Sequence, residues 1–419
     1  VNTEKETFVK LSKQIAAFIG NLLEHYDTAL FGLLSPFLAP LFFPNQEPIT
    51  ALIFTYSILP LGLFVRPLGS IIFGWIADHV GCSKALFYSL FGTAITTISI
   101  GLLPTYEKVG ILAPIFLALG RALQGFFAAG ESIGGAIFLL EKAKPSSKSL
   151  LSSFYDVTTI GGGLIASLAV SMLCQHSSIN YTWRILFLLG GVTALIGLII
   201  RYGQKPQNNL PIKVHTPLSW SFIKQHKKTL ISIAIACGFS HITYTFAFSF
   251  MNGFIPLITH FSKTEMLQCN TKLLLCDMCL LPCFGYLAHK IGKEKVMLFG
   301  AISACIAAYP LFSFLGKDPS LHTLFFIRMT IVVLGTAFAA PYYAWAIELA
   351  PTKHRCLILA LGANIGSQLL AAPSQSVCLW LYKATKWEAA PAVYFILLGA
   401  LASFVVLRPA YRLLYSSNR

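Results

Sequence analysis

Gly74-Trp75-Ile76-Ala77-Asp78-His79-Val80-Gly81 closes one long apolar run, and Gly285-Tyr286-Leu287-Ala288-His289-Lys290-Ile291-Gly292 closes another half a chain later. An octet bounded by glycines, with a titratable pair at its fifth and sixth positions, that returns at the same point of two apolar runs is the mark of a duplicated helical unit. Working outward from the two copies, apolar runs occupy roughly 15–37, 51–76, 85–103, 111–139, 151–173, 185–201, 229–258, 267–288, 296–315, 321–347, 356–381 and 389–407. Each is near the ~20 residues that span a bilayer as a helix. The copies then fall after the second and the eighth run, the same place in each half. The longest polar interruption, Tyr202 to Thr229, lies between them and carries Lys205, Lys213, His215, Lys224, Lys227 and Lys228. The sequence therefore predicts an all-α integral membrane protein of twelve transmembrane helices, built as a six-helix bundle over 1–202, a basic linker over 203–228 and a second six-helix bundle over 229–419.

Composition agrees. Of 419 residues, 56% are hydrophobic and only 11% charged, against about 25% charged in soluble domains, and mean hydropathy is +0.70. The net charge of +15 does not form a basic stripe interleaved with aromatics, so it does not point to nucleic acid. It sits in short runs between spans. Alternate linkers collect Lys84, Lys142, Lys144, Lys148, Lys290, Lys293, Lys295, Lys353 and Arg355, while the other set holds Lys108, Arg184, Lys263, Lys317, Lys383 and Lys386. The positive-inside bias then puts both termini in the cytoplasm. Residues 1–37 lack the short pure apolar core and small-residue cleavage site of a signal peptide and are expected to hold the first span. The ten cysteines lack paired loop spacing and read as small buried hydrophobes, Cys276, Cys279 and Cys283 included.

An ionisable side chain at the bilayer centre costs at least about 2.5 kcal/mol, so each one inside a run needs a partner, water or a task. Asn21, Glu24 and Asp27 follow at three-residue intervals, stacking an amide and two carboxylates along span 1 with His25 and Tyr26 beside them. Two carboxylates that close do not both ionise comfortably, which suits proton exchange at working pH. Arg121 and Glu131 lie on span 4, with Arg121 the expected partner of Asp27. Asp277, Lys272, Arg328 and His241 are weaker candidates, Lys272 and Arg328 because they stand close enough to a run's edge to snorkel; His241 and Tyr244 can face a cavity. Glycine-rich Gly125 to Gly135 and Gly161-Gly162-Gly163 lack the strand and the Gly-Lys-Ser/Thr ending of a phosphate loop and read as close helix contacts. No Walker motif is present, so ATP is not the expected energy source, and nothing points to an enzyme, a metal or a cofactor.

Several separated stretches resemble the metabolite:proton symporters of the major facilitator superfamily, the group that includes the proline/betaine transporter. They are Gly20-Asn21-Leu22-Leu23-Glu24-His25-Tyr26-Asp27, Phe42-Phe43-Pro44, Arg66-Pro67-Leu68-Gly69 through Gly74, Gly101 to Tyr106, and Arg121-Ala122-Leu123-Gln124-Gly125-Phe126 with Gly130-Glu131. Trp183-Arg184 and Glu348-Leu349-Ala350-Pro351-Thr352-Lys353-His354-Arg355 extend the likeness over nearly the whole chain. The resemblance implies alternating access around a central cavity, in a bacterial inner membrane, as a monomer, with import driven by the proton gradient. It implies proton coupling through Asp27, Glu24 and Glu131, and substrate contacts from Asn21, Tyr26, Arg121 and Tyr244. Arg66, Gly74, Asp78, Gly81 and Lys84 are the implied gating residues. Departures are His79, Cys82 and Ser83 where the family has basic residues, and His289 in place of the acid of the second copy; a looser gate is expected. The loop before span 7 lacks the family's acidic stretch, and the chain ends soon after span 12, so osmotic activation through a C-terminal coiled coil is not expected. The expected function is proton-coupled import of a small zwitterionic or anionic metabolite, a proline/betaine-type osmolyte or an organic acid. The alternatives are an uncoupled facilitator or exchanger of an organic acid, and a non-transporting sensor that retains the fold.

Overall fold

The computed structural model of the chain describes residues 21–22, 25–80, 82–129, 148–176, 179–202, 224–317, 319–351 and 355–416, and among them, besides the one-turn helix Tyr106–Val109, it shows twelve longer helical segments. Among these, seven helices are long and apolar enough to cross a membrane, and Phe87–Gly101, Leu112–Ala128 and Tyr181–Val192 are shorter apolar helices. The last two segments are the polar-bearing helix over 25–42 and the interrupted one from Arg355 to Thr385. No strand occurs among the described residues, as lipid demands of backbone that must satisfy its own hydrogen bonds.

Spans 1 to 12 follow chain order. Local chemistry fixes several ends. Span 8 (Lys263–Ile291) starts on a capping box in which Ser262 Oγ accepts from the Glu265 amide and Glu265 accepts from the Ser262 amide. Gly292, with φ 102°, turns the chain into span 9 (Lys293–Leu315), a left-handed conformation that favours glycine.

The packing repeats. Span 3 packs on spans 2, 4 and 6, and span 2 on span 4; span 9 packs likewise on spans 8, 10 and 12, and span 8 on span 10. Between halves, span 2 packs on span 11 and span 5 on span 8, which is one contact seen twice if span n corresponds to span n+6. That is the parallel-repeat symmetry about an axis along the membrane normal. Each half has its own core. Phe31, Phe42, Trp183 and Phe187 fill the first and Phe239, Phe246, Phe250 and Phe312 the second. At the seams, Leu52 and Tyr56 of span 2 join the second core and Leu267 of span 8 the first.

Glycines make the closest crossings, as expected of the glycine-rich stretches. A Cβ on Gly162 of span 5 would meet the Leu22 carbonyl at 2.2 Å, and one on Gly285 of span 8 would meet Ser153 Oγ of span 5 at 2.3 Å. Two expectations need correcting. Arg328 does not snorkel: it is 0% exposed, and its guanidinium donates to Ala247 O (3.2 and 2.7 Å), Met266 O (3.2 Å) and Asn270 Oδ1 (2.7 Å). Cys279 and Cys283 are exposed rather than buried, and Cys276 is half-buried, because span 8 turns that face away from its neighbours.

Candidate functional site

Between the halves lies a cavity of about 380 Å³ whose wall draws on spans 1, 2, 3, 4, 5, 7, 8, 10 and 11. The irregular backbone of the protein is concentrated on that wall. Span 2 passes through a 3-10 turn, Leu59–Leu61, and spans 7 and 11 through π-helical turns, Thr245–Phe250 and Gly366–Ala371. Span 10 breaks between Leu321–Ala339 and Tyr342–Leu349 at Pro341. Non-helical backbone at membrane depth is tolerated where it is buried or lines a cavity, and each break delivers a side chain to this one: Leu59, Ser249, Gln368, Tyr342.

The wall of the first half carries a polar relay. Asp27, 6% exposed, accepts from Thr97 Oγ1 at 3.2 Å; Thr97 Oγ1 accepts from Gln124 Nε2 at 2.8 Å; and Gln124 Oε1 accepts from Arg121. Arg121 lies over the Phe31 ring, 4.4 Å from its centroid, an arrangement that adds cation–π attraction to the hydrogen bond. Asp27 and Arg121 are thus joined, as expected, and the joint runs through Thr97 and Gln124. Gly190 of span 6 makes room for the carboxylate: a Cβ there would stand 2.5 Å from Asp27 Oδ1.

The cavity lining is also acidic and aromatic. Asp156 of span 5 lines the cavity at 9% exposure, and its Oδ2 has no hydrogen-bond partner among the described residues. Around it stand Tyr244, Phe248, Tyr342 and Tyr343, all on the wall. His241 lines the cavity, its Nδ1 donating to the Cys237 carbonyl at 3.0 Å. Asn270 closes the floor and links span 8 to Arg328 and, at 3.3 Å, to Ser167 of span 5.

At the end of the cavity remote from the chain termini the two halves are latched. Tyr56 OH donates to Ser249 O (3.2 Å) and Lys263 Nζ to Pro36 O (2.6 Å), while within the second half Ser249 Oγ donates to Gln375 Oε1 (3.1 Å). Outermost, Lys383 Nζ pairs with Glu47 at 2.9 Å; the hydrogen bond and charge of Lys383 hold the Glu47 carboxyl below its ordinary range. On the terminal side, Lys293 at the start of span 9 pairs with Glu348 at the end of span 10.

The expected site residues divide. Asp27, Arg121, Tyr244 and Arg66 all line the cavity. Arg66 stands beside Gly62 and Gly125 on its wall rather than at the gate. Asn21 and Tyr26 are spent elsewhere. The Asn21 amide donates to Thr158 Oγ1 (2.8 Å), Thr159 Oγ1 (2.9 Å) and Tyr155 O (3.4 Å), tying span 1 to span 5. Tyr26 is buried in the first core with its hydroxyl on Leu186 O. Glu24, Glu131 and Gly81 lie outside the described residues; Gly74 and Asp78 fall in the helix Gly62–His79 and Lys84 in the helix Cys82–Gly101, their side chains outside the description. Sequence reading missed Asp156, Gln124, Thr97 and Gly190. Asp156 had a signal, an acid inside the run 151–173; the other three are neutral and gave none.

Comparison with known proteins follows the same line. The sequence model of the Major Facilitator Superfamily matches residues 17–268. The chain is 26% identical to the glycine betaine/proline/ectoine/pipecolic acid transporter of Dickeya dadantii, over 94% of this chain and 82% of that one. It is 24% identical to the proline/betaine transporter of Escherichia coli, over 93% and 81%. In structure it resembles the D-xylose-proton symporter, with a TM-score of 0.74 at 15% identity over 94% of this chain and 97% of that one. It also resembles the partially occluded inward-open xylose transporter of Escherichia coli, with a TM-score of 0.72 at 15% identity over 95% and 97%.

Proposed function

This chain belongs to the Major Facilitator Superfamily, and on that footing we propose that it is a proton-coupled symporter importing a small zwitterionic metabolite by alternating access. That it is a multi-pass membrane transporter follows from the family; the substrate class and the coupling are our reading. One observation carries it: the cavity is lined both by guanidinium, Arg121 and Arg66, and by a carboxylate, Asp156, together with the aromatic rings of Tyr244, Phe248, Tyr342 and Tyr343. A solute with a carboxylate at one end and an ammonium at the other matches both kinds of lining. Guanidinium binds carboxylate through paired donors, and aromatic faces attract quaternary or secondary ammonium by cation–π interaction. A dicarboxylate would satisfy the guanidinium groups and meet repulsion at Asp156. The relatives named for proline and betaine carry solutes of this kind.

Asp27 is the proton carrier in this reading, with Glu24 and Glu131 as the further carboxyls. Its coupling to substrate runs along Thr97 and Gln124 to Arg121: a change of charge at Asp27 alters what Arg121 offers the solute. The segment from Gly74 through Asp78 and Gly81 to Lys84 serves as the cytoplasmic gate, with both termini in the cytoplasm of a bacterial inner membrane, as the lysine and arginine bias supports. The carrier needs no cofactor, is driven by the proton gradient alone and works as a monomer of two bundles, 1–202 and 229–419.

The test is uptake of labelled proline, betaine and 2-oxoglutarate into proteoliposomes with an inward proton gradient and with the gradient collapsed. Wild type is expected to accumulate proline or betaine only with the gradient, Asp27→Asn only to equilibrate, and Asp156→Asn to lose affinity for the zwitterion. Transport of 2-oxoglutarate alone would overturn the substrate reading. Equilibration indifferent to the gradient would make the chain a facilitator or exchanger, and no transport of any solute would favour a sensor.

A further inference from the structure

Behind Tyr244, away from the main cavity, lies a second void of about 10 Å³ lined by Tyr244, Asp277, Thr243, Thr336, Gly335 and Phe248. That is about the smallest space that holds a water. Asp277 of span 8 is 0% exposed. Its Oδ1 accepts from the Thr336 hydroxyl of span 10. The Tyr244 hydroxyl, which borders the same void, stands within side-chain hydrogen-bonding reach of the carboxyl, although neither it nor Oδ2 makes a close hydrogen bond among the described residues. Tyr244 lines both this void and the main cavity. It is the partition between them.

A bare carboxylate in this position would be far costlier than a neutral acid. The groups facing it add no cation: Thr336 comes from span 10, Tyr244 from span 7, and Asp156 of span 5, with His241 beside it, is a second acid in electrostatic reach. A sodium ion would need several oxygen ligands, whereas the void offers one free carboxylate oxygen, one phenol and room for one water.

We propose that Asp277 is a proton-binding site separate from Asp27, with the proton on Oδ2, exchanged with the main cavity through the Tyr244 hydroxyl. In loading, the phenol gives its proton to Oδ2 and takes one from cavity water; unloading reverses both transfers. The site sits in the second half, on span 8, whereas the Asp27 relay lies in the first. It rests on the transporter reading for its use, but its occupancy is measured without transport, so either can fail alone.

The experiment is pH-difference and hydrogen–deuterium infrared spectroscopy of the purified full chain, with thermal unfolding as the check on folding. Wild type is expected to show a protonated carboxyl C=O band that Asp277→Asn lacks and Asp27→Asn keeps. Thr336→Val should keep the band and move it to higher frequency, because the lost hydroxyl donates to Oδ1, the carbonyl oxygen of the acid. Tyr244→Phe should slow its isotope shift in D2O severalfold. A spectrum unchanged by Asp277→Asn, or a Thr336→Val band at the wild-type frequency, would overturn the proposal. So would a carboxyl that stays ionised and responds to sodium instead of pH.

Discussion

Replacing Gly190 with alanine adds one methyl group where the structure has no room for it. The new Cβ would stand 2.5 Å from Asp27 Oδ1, 3.2 Å from Tyr26 Cε1 and 3.3 Å from Thr97 Cγ2, against 3.4 Å or more for ordinary contact. Taking the difference between 3.4 and 2.5 Å, the carboxylate must retreat by about 0.9 Å. The Thr97 hydrogen bond to Asp27, already 3.2 Å long, does not survive such a shift. Overpacking of this kind costs about 1–3 kcal/mol. If the relay from Asp27 to Arg121 couples proton to solute, loss of that energy in the coupled step lowers gradient-driven uptake roughly tenfold, with counterflow exchange less affected. The assay is a comparison of the two transport modes in proteoliposomes, with Gly191→Ala as control. The neighbouring glycine would meet Ile98 Cγ1 at 2.2 Å and touches no member of the relay. It should lower the melting temperature and leave the ratio of driven to exchange transport at the wild-type value. If Gly190→Ala and Gly191→Ala change that ratio alike, or if Gly190→Ala leaves it unchanged in a folded protein, the reasoning from Asp27 is refuted.

Asn21→Ala should lower thermal stability in detergent by about 1–3 kcal/mol, the cost of stripping buried partners, while leaving solute affinity intact; a raised KM with unchanged stability would restore Asn21 to the binding site. Arg328→Lys is expected to destabilise nearly as much as Arg328→Ala, since one ammonium cannot reach the Ala247, Met266 and Asn270 oxygens together; a melting curve close to wild type for the lysine variant would contradict this. The Glu47–Lys383 latch gives a pH dependence. Because Lys383 holds the Glu47 carboxyl below its ordinary range, the latch contributes fully above the ordinary carboxylate range and is lost as pH falls through the lowered value. Outer-face cysteine labelling of wild type should therefore rise toward that of Glu47→Gln in acid and fall below it near neutrality, and parallel pH profiles would argue against the latch.

The spans were readable because lipid leaves the backbone one choice, and the halves because Gly74–Gly81 and Gly285–Gly292 mark equivalent turns. Facing was not. A helix turns about 100° per residue, so three-residue steps fall about 60° short of a full turn each, and Asn21 and Asp27 end about 120° apart. One faces the threonines of span 5 and the other Thr97. Arg328 was misread because distance from the edge of an apolar run measures depth along one helix and says nothing of the neighbours. Asp156 stands near the beginning of its run, where an acid looks like part of the linker; only the bundle shows that it lines the cavity.

The π turn at Thr245–Phe250 and the Arg328 guanidinium that donates to its Ala247 carbonyl have a historical consequence. A π turn arises when one residue is inserted into a helix, so it enters a lineage by insertion, whereas Arg328 on another span enters by point change. Inside lipid the bulge without the arginine exposes a carbonyl, and the arginine without the bulge is a buried charge seeking an acceptor. Each is harmful alone. Descendants of such an ancestor would inherit the two together or lose them together, and a search for distant kin can use the pair as a single character.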